Sequence, residues 1–272
     1  QDVNFAVTCS VFNAFWQDRR FLPSLLQQEL ALAGRLGKKS GHGVYRWPVE
    51  NQPEPALAAV SADRAAKMVK SDVVTQLGVR LPETIMTAQT VVIGTPEQMA
   101  ASAKALYESG ARLLKVKLDN HFICERMVAI REAAPEATLI VDANESWRSD
   151  GLAARCQLLA DLNVAMLEQP LPVGEDEALD NFIHPLPICA DESCHTREDL
   201  PVLRGRYDMV NIKLDKTGGL SEALALAAEA KAQGFALMLG CMLCTSRAIA
   251  AALPLVPQVR FADLDGPTWL AA

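Results

Sequence analysis

Short apolar runs alternate with longer amphipathic segments from about residue 87 to the end of the chain. The runs are rich in Val, Ile and Leu, as expected of parallel β-strands that are covered on both faces. Eight strands separated by helices predict an α/β fold, a (β/α)-barrel, with a doubly wound open sheet as the structural alternative. The eight runs are TAQTVVIG, LLKVKL, TLIVDA, VAMLEQ, PICADE, MVNIKL, ALMLGC and FADLDG.

The segments between these runs contain helix start and stop signals. The sequence Thr95–Gln98 has the pattern of a capping box with Pro at the first helical position, and the helix that follows is predicted to end at Gly110. By the same logic Ser221 is expected to begin the helix EALALAAEAKAQ, which ends at Gly234.

The N-terminal part of the chain does not continue this rhythm. Residues 1–50 are predicted to be a mostly helical segment that is interrupted near Pro23. Residues 51–80 have the proline-containing composition of a linker or junction, and the barrel domain is predicted to span residues 81–272.

Charged residues recur near the ends of six of the eight runs. A single acidic residue at a strand end is usually a turn residue or a helix cap. Here consecutive intervals from the second run to the sixth are 25, 26, 23 and 22 residues, one β-loop-α unit each, which places the charges in a ring at one mouth of the barrel. Active sites lie at that C-terminal mouth. The six residues are Lys117, Asp142, Glu168, Asp191, Lys213 and Asp263.

Three of these residues form a candidate metal site. Asp142, Glu168 and Asp191 follow consecutive strands, so their carboxylates are expected to converge. Without a cation they would repel one another and shift toward their neutral forms. The all-oxygen set favours Mg²⁺, with the remaining positions left to water or substrate.

The lysines suggest an acid–base role. Lys115 and Lys117 point to the same side of their strand because side chains alternate faces. Lys117 and Lys213 belong to strands two and six, which lie on opposite sides of an eight-stranded barrel. One amine could remove a proton from a carbon while the other delivers a proton to the opposite face. A lysine that acts as a base needs a lowered pKa, which we expect the cation and Lys115 to provide. The cation would also stabilise the negative charge that builds on the adjacent carboxylate when the carbon loses its proton, that is, an enediolate.

Composition narrows the partners. The net charge of −7 and the lack of a long basic run argue against nucleic acid. The absence of a long apolar stretch or a signal pattern argues against a membrane and predicts a cytoplasmic location. The seven scattered cysteines are expected to be reduced thiols, and the single C-x-x-C at Cys241 and Cys244 lacks the further ligands of a zinc site.

From about residue 79 onward the chain resembles the muconate-lactonizing branch of the enolase superfamily, and within it the dipeptide epimerases of the L-Ala-D/L-Glu type. The motifs occur in order and at the expected spacing. They are KVK at 115–117, VDAN at 141–144, EQP at 168–170, ADES at 190–193 and NIKLDKTGG at 211–219.

This resemblance implies a set of roles. The Mg²⁺ ligands would be Asp142, Glu168 and Asp191. The acid–base catalysts would be Lys117 and Lys213, with Lys115 assisting. The α-ammonium group of a dipeptide would be bound by Asp263 and Asp265, and hydrogen-bond support for the ligands would come from Asn144 and Glu192.

The resemblance does not extend to the N-terminal part. Residues 1 to about 78 resemble part of the C-terminal region of 3-hydroxyacyl-CoA dehydrogenases, so the chain is expected to be a chimera that lacks the usual N-terminal capping domain. Activity is then expected to be reduced, because a cap excludes water from the site. The alternatives are another reaction of the superfamily, such as β-elimination or o-succinylbenzoate synthesis, and a non-catalytic chimera.

Overall fold

The computed structural model describes Val74 and residues 77–270. All of these belong to the second of two compact units, Lys67–Ala272. The predicted helical segment 1–50 and most of the predicted linker 51–80 lie outside the described residues.

Eight parallel strands form one sheet in which every strand pairs with the next along the chain. Thr87, just before the first strand, forms a parallel bridge with Ala262 of the last, and the Ala88 N–H donates to the Ala262 carbonyl at 2.8 Å. These contacts close the sheet, which confirms the barrel and excludes the open sheet. The strands are β1 (Gln89–Val91), β2 (Leu113–Lys117), β3 (Thr138–Asp142), β4 (Val164–Glu168), β5 (Ile188–Ala190), β6 (Met209–Ile212), β7 (Ala236–Leu239) and β8 (Phe261–Ala262).

Helices connect most of the strands, as the alternating pattern predicts, whereas the connection between β4 and β5 contains a 3₁₀ segment and no α-helix. Shorter 3₁₀ segments occupy Asp176–Leu179, Arg197–Asp199, Leu253–Gln258 and Gly266–Trp269. Among the described residues, no helix is both long enough and apolar enough to cross a bilayer. The α-helices are α1 (Pro96–Glu108), α2 (Ile123–Ala133), α3 (Leu152–Asp161), α4 (Leu200–Leu203), α5 (Leu214–Thr217), α6 (Leu220–Ala232) and α7 (Ser246–Ala252).

The two helix-start predictions have different outcomes. At α1 the capping box is confirmed, because Thr95 Oγ1 accepts from the Gln98 N–H and Gln98 Oε1 accepts from the Thr95 N–H. At α6 the predicted start at Ser221 is wrong, because the helix begins at Leu220. The N-cap residue is Gly219, with φ of 138°, a conformation that glycine adopts readily. The helix therefore begins one residue before Ser221.

Two layers of side chains fill the barrel interior. Alternation along each strand places a residue of the lower layer and, two positions later, a residue of the upper layer on the same inner face. The lower layer is apolar and consists of Ala88, Leu113, Ile140, Met166, Cys189, Met209 and Met238. The upper layer is mostly polar and includes Lys115, Asp142, Glu168, Asp191, Asn211 and Asp263. A buried apolar layer therefore lies directly beneath a charged layer.

Candidate active site

The three acidic residues at the ends of consecutive strands come together. Asp142 ends β3, Glu168 ends β4, and Asp191 directly follows β5. One carboxylate oxygen from each lies within 4.8 Å of the other two, and each residue is at most 1% exposed.

The donor set fits a hard divalent cation. All three groups are carboxylates, which Mg²⁺ prefers over nitrogen or sulfur ligands. Glu168 Oε2 is buried and makes no hydrogen bond within the described part of the chain, although Lys115 Nζ is 2.8 Å away. An oxygen with unused acceptor capacity beside two other carboxylates is suited to metal coordination.

Lys115 lies at the centre of this acidic group. Its Nζ atom is 3.0 Å from Asp142 Oδ2, 2.8 Å from Glu168 Oε2 and 2.8 Å from Asp263 Oδ2, and the side chain is 3% exposed. Burial lowers the pKa of Lys115, but the three carboxylates outweigh burial and raise this pKa well above its usual value. Lys115 is therefore a fixed cation that balances the acidic charge.

Lys117 stands at the accessible edge of the site, with 30% of its side chain exposed. Its Nζ atom donates to Asp142 Oδ2 and to Asn144 Oδ1, both at 2.7 Å. Asn144 in turn donates to Glu192 Oε1 at 3.3 Å. The structure thus links Asn144 and Glu192 to the lysine and to each other, on the open side of the carboxylates.

Lys213 approaches from the opposite side of the barrel, just after β6. Its Nζ atom donates to Asp191 Oδ2 at 2.5 Å, and its side chain is 10% exposed. Burial lowers the pKa of Lys213, but Asp191 and Glu168 outweigh burial and raise it above its usual value. The lowered pKa expected from the sequence requires the cation as well as Lys115; without a cation the local carboxylate charge exceeds the repulsion from Lys115.

The carboxyl groups differ in their tendency to hold a proton. Burial and the neighbouring carboxylate of Asp142 raise the pKa of Glu168 to about 7. Burial acts in the same direction on Asp191, but Lys216 and Lys213 beside it hold the pKa of Asp191 far below its usual range. Asp142, beside Lys117, and Asp191, beside Lys213 and Lys216, stay ionised. Glu168 instead takes up a proton near neutral pH.

Sequence reasoning missed two residues of the upper layer and its rim. Asn211 donates from Nδ2 to Glu168 Oε1 at 2.6 Å. Lys216 donates to Asp191 Oδ1 at 2.7 Å, to the Asp191 carbonyl at 2.6 Å and to the Asn211 carbonyl at 2.8 Å. A signal for Asn211 existed, since it is a polar residue on the inner face of an otherwise apolar strand two positions before Lys213. Lys216 lies on α5, where strand alternation gives no information.

The two acidic residues after β8 have different surroundings. Asp263 binds Lys115 through Oδ2, while its Oδ1 is buried and has no hydrogen-bond partner among the described residues. Asp265 accepts from the Thr90 N–H through Oδ2 at 3.0 Å. Both residues are less than 10% exposed. Asp263 therefore belongs to the charged layer, whereas Asp265 also joins β8 to β1.

In the described part of the chain, the cluster able to hold a metal ion is the acidic trio, and the C-x-x-C is separate from it. Cys241 and Cys244 are free cysteines just beyond β7. Burial raises the pKa of Cys241 to about 12, so this thiol is protonated near neutral pH when no metal is bound.

Comparison with known proteins gives matches to both families that the sequence resembles. The family model described as enolase C-terminal domain-like matches residues 98–267. The L-Ala-D/L-Glu epimerase of Escherichia coli (strain K12) is 75% identical over 216 residues, which cover 79% of this chain and 67% of that protein. The 3-hydroxyadipyl-CoA dehydrogenase of the same strain is 65% identical over 79 residues, which cover 28% of this chain and 17% of that protein.

Among solved structures, a dipeptide epimerase from Cytophaga hutchinsonii, complexed with Mg and the dipeptide D-Ala-L-Val, superposes with a TM-score of 0.71. It is 30% identical, and the match covers 77% of this chain and 60% of that one. The chain thus spans about two thirds of the length of the epimerases it matches.

Proposed function

The chain belongs to the enolase C-terminal domain-like family, and from this premise we propose that it epimerises a dipeptide of the L-Ala-D/L-Glu type by a two-base 1,1-proton transfer. The observation that supports this reaction most directly is the position of Lys117 and Lys213. Each ammonium group contacts a different member of the acidic trio, and the two residues belong to strands four positions apart in an eight-stranded barrel. A substrate held at the trio would have one amine on either side.

We further propose that Asp142, Glu168 and Asp191 hold Mg²⁺. Their oxygen-only donor set and their mutual distances support this ion, as does Glu168 Oε2, which makes no hydrogen bond among the described residues. A relative with 30% identity was solved with Mg. When bound, Mg²⁺ would supply positive charge that lowers the pKa of the lysines and stabilises the negative charge developing on the substrate carboxylate.

The roles of this chain's own residues follow from their contacts. Lys117, the more exposed amine, can exchange its proton with solvent, whereas Lys213 is nearly buried and can keep the proton it receives. Lys115 cannot take the place of either, because its Nζ atom is enclosed by three carboxylates. Its charge instead acts to lower the pKa of Lys213.

Substrate identity depends on Asp263 and Asp265. The buried Oδ1 of Asp263 has unused acceptor capacity, which suits the α-ammonium group of a dipeptide. The other oxygen of Asp263 and one oxygen of Asp265 already bind protein groups. This partial engagement favours, as a second candidate, a related superfamily reaction such as β-elimination or o-succinylbenzoate synthesis, whose substrates need no ammonium-binding pair.

The proposal is tested by incubating L-Ala-L-Glu with the protein and Mg²⁺ in D₂O and following the Glu α-carbon by NMR. We expect deuterium at that carbon together with L-Ala-D-Glu. The rate is expected to be lower than that of full-length relatives, because residues 1–78 do not resemble a capping domain that would exclude water.

The lysine variants make the test specific. Lys117→Ala and Lys213→Ala should both lose epimerisation, because each removes one of the two bases. Each should retain deuterium exchange with one epimer only, and the two variants should retain it with opposite epimers. Exchange of the same epimer by both variants would contradict the two-base arrangement. Mg²⁺ binding without exchange in the unmodified protein would favour the non-catalytic alternative.

A further inference from the structure

Gln169 is a fully buried amide that directly follows Glu168 and contacts the segments bearing the other two acidic residues. We propose that Gln169 is a positioning residue that sets the separation of Asp142, Glu168 and Asp191. This inference rests on the proposed metal site and concerns a residue that the proposed chemistry does not otherwise use.

The side chain of Gln169 binds the segment that follows β5. Its Oε1 atom accepts from the Asp191 N–H at 2.9 Å and from the Ser193 N–H at 3.1 Å. Its Nε2 atom donates to the Leu171 carbonyl at 2.8 Å and contacts Ser193 Oγ at 2.9 Å and Tyr207 Oη at 3.0 Å. Only an amide supplies an acceptor on one side and donors on the other, so a carboxylate or an apolar side chain cannot replace these contacts.

The backbone of Gln169 binds β5 and the loop after β3. Its N–H donates to the Cys189 carbonyl on β5, and its carbonyl accepts from the Glu145 N–H in the loop after β3, both at 2.9 Å. The residue has φ of 32°, which is uncommon for a side chain other than glycine. Such a conformation persists where surrounding contacts determine it. The three segments that bear the acidic trio are therefore connected through one residue.

A second row of buried groups fixes the orientation of the amide. Asp176 is 7% exposed and accepts hydrogen bonds from the Ser193 hydroxyl, at 3.0 Å to Oδ2, and from the Tyr207 hydroxyl. Because both hydroxyl protons point to Asp176, the hydroxyl oxygens are available as acceptors for Gln169 Nε2. The amide then has one favourable orientation, with its oxygen toward Asp191.

This arrangement matters because three carboxylates within 4.8 Å repel one another. Charge pairing alone does not set their geometry, since the ammonium groups of long lysine side chains can follow moving partners. The neutral amide of Gln169 binds the main chain of the segments that bear Glu168 and Asp191, and the Gln169 carbonyl binds the segment that bears Asp142. These contacts keep the carboxylate oxygens at a separation that one cation can bridge.

The test uses direct metal binding and stability rather than turnover. Calorimetry gives the Mg²⁺ affinity at constant pH, and urea unfolding without metal gives the free energy of unfolding. The test variant is Gln169→Met, which keeps length and adds no charge. Ser193→Ala and Tyr207→Phe are milder variants that each remove one contact of Nε2. Arg131→Met is the matched control, because Arg131 donates to the carbonyls of Leu162 and Ala137 at the opposite end of the barrel.

We expect Gln169→Met to weaken Mg²⁺ binding by about 10-fold or more and the two milder variants to weaken it by smaller factors. Arg131→Met should lower the free energy of unfolding with no change in Mg²⁺ affinity. If Gln169→Met does not fold, Ser193→Ala and Tyr207→Phe decide the question. Mg²⁺ binding as tight as in the unmodified protein, in folded network variants, would overturn the inference alone. A lack of Mg²⁺ binding by the unmodified protein would overturn it together with the proposed metal site.

Discussion

The ammonium nitrogen of Lys115 lies 2.8 Å from Glu168 Oε2, and the two side chains are 3% and 0% exposed. A buried ion pair of this kind is costly to break from one side, because the remaining charge is left without compensation. The same lysine also forms ion pairs with Asp142 and Asp263.

Replacing Lys115 should therefore destabilise the metal-free protein. We expect Lys115→Met to lower the free energy of unfolding by about 3 kcal/mol or more. Added Mg²⁺ should restore part of this loss, since the cation would compensate the same carboxylates. Urea unfolding with and without Mg²⁺ measures both effects. The control is Lys104→Met, which removes an exposed pair with Glu108 at 3.9 Å and should change stability by less than about 0.5 kcal/mol. An equal loss of stability with and without Mg²⁺ would argue against a shared role of Lys115 and the cation.

Mg²⁺ affinity should depend on pH through Glu168, whose pKa is raised to about 7 by burial and by the neighbouring carboxylate of Asp142. Below that pH the carboxyl group is protonated and the cation must displace the proton. Affinity is thus expected to rise with pH up to about 7 and then to level off. Calorimetry at about pH 6 in buffers of different ionisation enthalpy should detect proton release, and an affinity independent of pH on the acid side of neutrality would contradict this assignment.

The same raised pKa makes an opposite prediction for the metal-free protein. Between the ordinary value of 4.5 and about 7, the folded state binds more protons at Glu168 than the unfolded state does. The contribution of this group to stability is therefore present below about pH 4.5 and is lost as the pH rises toward 7. Urea unfolding across this range should show a decline in the unmodified protein that is smaller in Glu168→Gln, where burial still raises the pKa of Glu192.

Gly240 leaves space for the side chains of Asn211 and Lys213. A Cβ atom at this position would lie 2.7 Å from Asn211 Oδ1 and 3.0 Å from Lys213 Cε. We expect Gly240→Ala to displace both side chains and to slow proton exchange by about 10- to 100-fold, because small displacements of a catalytic group have large effects on rate. Mg²⁺ affinity and α-proton exchange should be measured on the same preparation. An unchanged exchange rate would show that Lys213 tolerates the displacement.

Lys213 and Lys216 both bind Asp191 but should respond differently to substitution. Lys216 uses its three ammonium protons on three protein acceptors, so Lys216→Met removes three hydrogen bonds and should lower the free energy of unfolding by about 3 kcal/mol. Lys213 donates to Asp191 Oδ2 alone within the described residues, so Lys213→Met should have a smaller effect on stability and should abolish epimerisation. Urea unfolding and the D₂O assay distinguish these outcomes. Loss of epimerisation with full stability in Lys216→Met would assign that lysine a chemical role instead.

Strand alternation and spacing were sufficient to predict eight parallel strands separated by helices and the convergence of their charges, with a barrel and an open sheet as alternatives. Parallel strands separated by helices place their C-terminal ends at one edge, so residues near those ends can be placed together before any coordinates are known. Asp142, Glu168 and Asp191 were identified in this way, and Lys117 and Lys213 could be assigned to opposite sides. These predictions require only the local periodicity, which can be read from the sequence, and one topological rule about parallel strands.

Other features depended on contacts between distant parts of the chain. The closing bridge between Thr87 and Ala262 joins the two ends of the sheet, and no local pattern distinguishes it from an open edge. The contacts of Lys216 and Gln169 with Asp191 also depend on packing, because a helix and a loop bring these groups to the site rather than strand alternation.

The direction of each pKa shift was likewise decided only in three dimensions. The same residue type can gain or lose protons according to the distances to its neighbours and the depth of burial. Lys213 illustrates this point, since without a cation Asp191 at 2.5 Å helps to raise the pKa of Lys213, whereas its proposed role needs the opposite shift from a bound cation. The order of residues along the chain determined which charges meet, and tertiary structure decided how strongly each one acts on the others, because electrostatic energy depends on separation and solvent access.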